Sequence, residues 1–185
     1  MDAKADVVEL QNDTNRNISY CLYSSISSES IQTLVDFIIN MKQETTLNLY
    51  INSRGGIVPV AIVFFNFIKS IKGLKINTYN MGHCDSAATL IFMLGQRKYV
   101  LKNASFYMHS LQLKLPYPQT INTLKNELKN ITEDTNIFIN LLVNNSNISK
   151  KQWNLWMNDK GTLIKAKKAV SMGIAEYLPE EEKGK

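Results

Sequence analysis

The sequence predicts an α/β fold with a mostly parallel sheet and one protruding long helix. Three observations carry that expectation. Short apolar runs with period-two alternation are followed by longer runs at helical spacing. The junctions between them are short and rich in Gly and Ser. One late segment is much longer than the rest, with an apolar stripe between Lys and Glu. Strand–turn–helix units in series need crossover connections, and these favour parallel pairing.

Each element has its own signal. Ile18 to Tyr23 is a short strand. Ser27 or Ser28 can cap the next helix, with Glu29 at the positive end of its dipole. Ile31, Leu34, Val35, Ile38 and Ile39 then repeat at helical spacing up to Met41. Thr46 to Asn52 alternates Leu47, Leu49 and Ile51 with polar neighbours, as a strand does. It ends in the turn Ser53-Arg54-Gly55-Gly56. A helix from Pro59 to Ser70 follows, and proline suits the first turn. Lys75 to Asn80 is the next strand, ending at Gly82.

Ser86 to Leu94 reads as a buried helix closed by Gly95. Lys98 to Leu101 and Ser105 to His109 are two further strands. A loop with Pro116 and Pro118 leads into the long helix, about Thr120 to Val143. Ile121, Leu124, Leu128, Ile131, Phe138, Leu141 and Leu142 approximate one stripe on it. The last helix runs from Lys165 to Met172 and stops at Gly173.

With 185 residues, the chain fits a single domain, 1–185, with flexible ends at 1–17 and 179–185. A chain of this length buries about two-thirds of its unfolded surface, so its core needs no disulfide or metal. Apolar residues make up 44% and charged residues 20%, which is globular rather than disordered. The net charge of +5 is modest and favours solubility. Lys and Arg are scattered rather than striped, which argues against nucleic acid as a partner. Cys21 and Cys84 form neither a disulfide framework nor, with two histidines, a zinc site. They read as free thiols of a reducing compartment. The N-terminus has no secretory pattern, and the apolar run Ile57 to Ile68 is broken by Pro59 and Asn66. A soluble, cytoplasmic protein without membrane partners is expected.

Three places could carry chemistry. Ser53-Arg54-Gly55-Gly56 lies where a parallel strand meets a helix, the end at which such folds bind ligands. Its paired glycines can turn sharply and present backbone N–H groups to a reacting atom. The turn lacks the phosphate-loop pattern. Gly82-His83-Cys84-Asp85-Ser86-Ala87-Ala88 can expose the Ser86 hydroxyl at a strand-to-helix turn, with the Ala87 N–H beside it. Ser86 could equally be an N-cap, the commoner role for serine there. His109, at a strand end, is a suitable general base. A lone histidine ending an apolar strand is more often structural, and His83 reads as structural or as a support to the site.

Taken together, these segments resemble the proteolytic subunit of the Clp protease (ClpP). Tyr50-Ile51-Asn52-Ser53-Arg54-Gly55-Gly56 is similar to its Y-I-N-S-P-G-G. Gly82 to Ala88 with Leu94-Gly95 resembles its G-x-x-A-S-M-G helix. Leu101 to Ser110 resembles its L-P-N-S-x-x-M-I-H-Q strand. Lys165 through Glu176 is similar to its S-A-x-E-A-x-x-Y-G-L-I-D ending. The likeness runs in order from about Ser27 to Leu178. It implies a ClpP/crotonase-like fold of repeated β-β-α units with a handle helix. It also implies a serine endopeptidase, with Ser86 as nucleophile and His109 as base. Gly56 and Ala87 fall on the oxyanion donors, and Gly55, Ile57 and Val58 would hold an extended substrate peptide. The substrate would be a peptide or unfolded protein, without cofactor or metal. The assembly would be a homo-oligomer, heptameric or double heptameric, with the handle around Thr120 to Val143 joining the rings.

The departures are specific. Arg54 stands for a proline and Asp85 for a small residue, which could disturb Ser86 or point into solvent. Counted back from Gly173, the family's acid position holds Gly161. Asp159, two residues earlier, is the candidate third triad member. The N-terminus is unlike the family's, so a Clp-type ATPase partner does not follow from the likeness. Two alternatives accompany the peptidase: a non-catalytic ring subunit with a degenerate triad, and a crotonase-type acyl-CoA enzyme.

Overall fold

The computed structural model describes residues 17–42, 45–113, 115 and 118–179. The expected flexible ends lie outside these residues, except Asn17 and Pro179. So does Pro116 of the expected loop. The chain order is β1 (Asn17–Leu22), α1 (Ser28–Ile39), β2 (Thr46–Ser53), α2 (Val58–Ser70), β3 (Lys75–Cys84) and α3 (Ala87–Phe92). Then come β4 (Arg97–Val100), β5 (Ser105–Met108), α4 (Ile121–Asn144), α5 (Lys150–Trp156), β6 (Thr162–Lys165), α6 (Ala166–Ser171) and β7 (Glu176–Tyr177).

The mostly parallel α/β fold is present. The strands β1, β2, β3, β4 and β7 lie side by side in that order, all parallel. The first half of β3 pairs with β4, at Asn77 to Asn80. Beyond Gly82 it pairs instead with β5, through His83 and Ser105. β6 adds an antiparallel edge to β5, with Tyr107 opposite Leu163 and Met108 opposite Thr162.

That fork corrects the expected end of the third strand. β3 continues to Cys84 because Asn80 and Asn52 replace the ladder where it breaks. Asn80 Nδ2 donates to the Ser105 carbonyl (2.9 Å), and its Oδ1 accepts from the Gly82 N–H (3.1 Å). Asn52 Oδ1 accepts from the His83 N–H (3.0 Å). Buried polar groups must find partners, so these amides let one strand serve two neighbours.

Helices cover the face of β2 that carries Leu47, Leu49 and Ile51, all fully buried. Each such side chain contributes about 1.5–3 kcal/mol relative to exposure. The other face carries a half-buried stack of Tyr50, Tyr79 and Tyr99. α1 begins with a capping box between Ser27 and Ser30, and buries Ile31, Leu34 and Ile38. Pro59 sits in the first turn of α2, where its missing N–H costs nothing. All six residues of α3 are buried, which anchors the elbow before it.

α4 is divided along its length. Phe138, Ile139 and Leu142 are buried, whereas Ile121, Leu124 and Leu128 are exposed. The handle thus projects its N-terminal half beyond the body. α5, β6 and β7 lie outside the sequence expectations. α5 docks through Trp153 and Trp156, whose rings meet edge-on at 5.1 Å. Among the described residues, no helix is long and apolar enough to cross a membrane.

Candidate active site

Ser86 stands between β3 and α3 with φ 50° and ψ −121°. It is the one non-glycine residue with positive φ among those described. Such a conformation costs about 1–3 kcal/mol and persists only where the surroundings over-determine it. Here they do. The Asp85 N–H donates to the Ser53 carbonyl (3.0 Å), and the Ser86 N–H to the Tyr107 carbonyl (2.7 Å). Thr89 holds the other side: its N–H donates to the Ser86 carbonyl (2.9 Å) and its Oγ1 to the Cys84 carbonyl (2.8 Å). Ser86 occupies the N-cap position, yet its side chain makes no capping bond. The hydroxyl is therefore not spent on the helix.

The Gly55–Gly56 turn lies directly over this elbow. Gly55 has φ +88°, and a Cβ on it would stand 2.6 Å from the Asp85 carbonyl oxygen, 2.9 Å from Ser86 Cβ and 3.2 Å from the Ala87 nitrogen. Only glycine allows that approach. Gly56 forms a parallel bridge with Ile26. Its neighbours make the bonds: the Ile26 N–H donates to the Gly55 carbonyl (2.9 Å), and the Ile57 N–H to the Ile26 carbonyl (2.8 Å). The Gly56 N–H itself therefore faces away from Ile26, as alternation along an extended chain requires. The Ala87 N–H opens α3 and has no partner within the helix.

The extended backbone stops one residue earlier than expected. Ile57 is extended and exposed, but Val58 begins α2 and is buried. Pro59 fixes the helical start, so Val58 does not continue a substrate-binding strand.

His109 follows β5 directly. Its Nδ1 lies 2.7 Å from the Ser110 carbonyl oxygen. A carbonyl only accepts, so Nδ1 carries a proton, and in the neutral ring the lone pair is then on Nε2. Among the described residues, no hydrogen bond joins the Ser86 hydroxyl to this imidazole. Their link runs through the backbone, because Ser86 is tied to Tyr107, two residues before His109.

Asp159 does not bond to His109. Its Oδ1 accepts from the Ser110 hydroxyl (2.7 Å), and the Ser110 N–H donates to the Asn158 carbonyl (3.2 Å). Gly161 has φ +72°, and a Cβ there would collide with the Tyr107 ring and hydroxyl. That hydroxyl donates to the Lys160 carbonyl (3.1 Å). Tyr107 thus fills the space of any side chain at position 161.

The two motif departures prove to be partners. Asp85 points inward, with its side chain 4% exposed, and Oδ2 lies 3.4 Å from Arg54 Nη1. The same oxygen is 3.8 Å from His83 Nδ1. Burial pushes the Asp85 carboxyl above its ordinary range, against the opposing pull of His83 and Arg54. Burial, helped by the Asp85 charge, also pushes the Cys84 thiol well up, which makes it inert. Its Sγ donates to the Ala88 carbonyl (3.3 Å).

Ser110, Tyr107, Asn52 and Asn80 are the site-building residues that sequence reading missed. Asn52 and Asn80 are polar residues at strand ends, a signal that could have been weighed. Ser110 and Tyr107 act through bonds to Asn158, Asp159 and Lys160 in the loop before β6, which has no comparable signal.

Comparison with known proteins gives a consistent placement. The model of the Clp protease family matches residues 3–182. A peptidase from Plasmodium falciparum shares the fold: TM-score 0.72 at 20% identity, covering 90% of this chain and 96% of that one. No curated protein matches the sequence at a significant level. The forked parallel sheet, the handle and the family match over nearly the whole length lead to one conclusion: the chain belongs to the Clp protease family, a family of peptidases.

Proposed function

We propose that the chain is a serine endopeptidase that cleaves peptides or unfolded chains by acyl-enzyme chemistry. The observation that carries this reading is the elbow. A strained serine, free of any capping duty, lies beneath the Gly55 turn and beside the Ala87 N–H that opens α3.

The chemistry follows from these groups. Nε2 of His109 takes the proton from Ser86 Oγ as the oxygen attacks the peptide carbonyl. The N–H groups of Gly56 and Ala87 stabilise the oxyanion that forms. The imidazolium then protonates the leaving amine, and water resolves the ester by the reverse path. The Ser110 carbonyl keeps His109 in the tautomer this needs, and Asp159 supports it through the Ser110 hydroxyl. Substrate enters along Gly55 and Ile57. The exposed Ile121, Leu124 and Leu128 of the handle favour pairing with a second copy, as in the rings of the family. A reducing, cytoplasmic setting suits the free thiols of Cys21 and Cys84.

A non-catalytic ring subunit is the second reading. It is favoured by Tyr107 filling the space at Gly161 and by Asp159 standing one residue away from His109. Labelling with a fluorophosphonate probe, read by intact mass, separates the two. One adduct on the wild type and none on Ser86→Ala supports the peptidase. An unlabelled, folded wild type supports the subunit.

A further inference from the structure

We propose that Asp85 is a positioning residue for the reaction above, on which this inference rests: through Arg54 it holds the Gly55–Gly56 turn in place over Ser86. Two successive glycines with positive φ, Gly55 and Gly56, give a turn with little intrinsic stiffness. One side of it is fixed by the bridge to Ile26. On the other side, the Arg54–Asp85 pair is the side-chain link from the turn to the elbow among the described residues. Arg54 immediately precedes Gly55, and Asp85 immediately precedes Ser86. A small displacement of the turn would move the Gly56 N–H relative to Ser86 Oγ, the geometry on which oxyanion stabilisation depends.

The pair is also poorly explained as a stabilising device. Arg54 is 73% exposed, so solvent screens its half of the interaction. Asp85 Oδ1 and His83 Nδ1 are both buried without a hydrogen-bond partner. An uncharged side chain of the same shape would relieve that arrangement. The groups facing the carboxylate are Arg54 from the turn, His83 and Cys84 from β3, and the Tyr107 backbone N–H from β5. None of them neutralises it fully. A carboxylate kept buried at a cost to the fold, next to the nucleophile, is better accounted for by what it holds.

The full chain carries the test. Arg54→Ala removes an exposed side chain, and Asp85→Asn keeps the shape of the buried one. Each should slow fluorophosphonate labelling of Ser86 and kcat on a peptide ester about tenfold. That lies between the small effect of a half-exposed ion pair and the hundredfold of a 1 Å misplacement. KM should change little. The double variant should be no slower than either single one, because both remove the same link. Guanidinium ion in the buffer should recover part of the rate of Arg54→Ala and none of that of Asp85→Asn. Asp85→Asn should melt no lower than the wild type, so that rate and stability part company. Wild-type rates in both single variants overturn the proposal. So do losses that multiply, or losses that follow a fall in Tm. A wild type that does not label overturns the peptidase reading and this inference together, whereas a labelled wild type with unaffected variants overturns this one alone.

Discussion

The Ser86 end and the His109 end of the proposed site are built in opposite ways. Ser86 is held by backbone: four hydrogen bonds from three elements surround a strained φ, and a glycine closes over it. His109 is held by one bond from its ring to the next residue's carbonyl. Its acidic neighbour sits a further residue away, on the exposed edge made by β6 and the loop before it. The end proposed to hold the oxyanion is therefore preorganised, and the end proposed for proton transfer is adjustable. Backbone geometry tolerates side-chain replacement, whereas a triad built from side chains on an edge does not.

The strongest way to break the contrast is Gly55→Ala. Its methyl would meet backbone at 2.6 Å and the Ser86 side chain at 2.9 Å, in a positive-φ turn. Labelling of Ser86 should fall at least ~100-fold, since a 1 Å misplacement alone costs that much. A rate near that of the wild type would show that the turn is not part of the machinery.

Asp159→Asn should act far more weakly. A carboxylate that orients its histidine directly is worth on the order of 10⁴ in turnover, largely by fixing the tautomer. Here the Ser110 carbonyl fixes it, so a loss of about tenfold or less is expected in kcat/KM. Ser110→Ala should match it, because that hydroxyl is the connection. A loss approaching 10⁴ in Asp159→Asn would mean that the carboxylate reaches His109 during turnover.

Gly161→Ala tests the same end by stability. Positive φ and collision with Tyr107 should together cost about 1–3 kcal/mol. Pairing it with Tyr107→Ala should return part of that loss, measured by chemical denaturation. Equal stability of the single variant and the wild type would remove Tyr107 as the reason this position lacks a side chain.

The smallest effect is a pH dependence. The folded Asp85 carboxyl has a pKa raised above its unfolded value by burial. It binds its proton more tightly when folded, so its contribution to stability grows as pH falls through the folded value towards the unfolded one. At a pH above both values, the ionised form costs stability. The Tm difference between Asp85→Asn and the wild type should therefore shrink on acidification through the folded value. A difference that grows in acid would contradict the burial effect.

Much of this protein was legible in its residues. Short apolar runs placed β1, β2, β4 and β5 within a residue or two, and Ser27 or Ser28 and Pro59 marked helix starts. Those signals are local, arising from period, capping and backbone restriction, so they need no knowledge of distant chain. Gly55 and Ser86 were legible as a sharp strand-to-helix turn, and His109 as a strand end, but the roles proposed for Ser86 and His109 came from the family resemblance. Other features could not be read in this way. β6 is four residues long, half exposed, and exists because β5 offers it an edge. The continuation of β3 to Cys84 depends on amides that only folding brings to its broken ladder.

By itself the sequence determined the order of the elements from β1 to α4 and the elbow between β3 and α3, and it nominated Ser86 and His109 for the proposed chemistry. The tertiary structure decided who partners whom: Asp159 with Ser110, Tyr107 with the space at Gly161, and Arg54 with Asp85. Local preferences are set by neighbours a few residues away. A hydrogen bond or ion pair across 31 or 49 residues of chain is set by register and packing, which no short stretch of sequence contains.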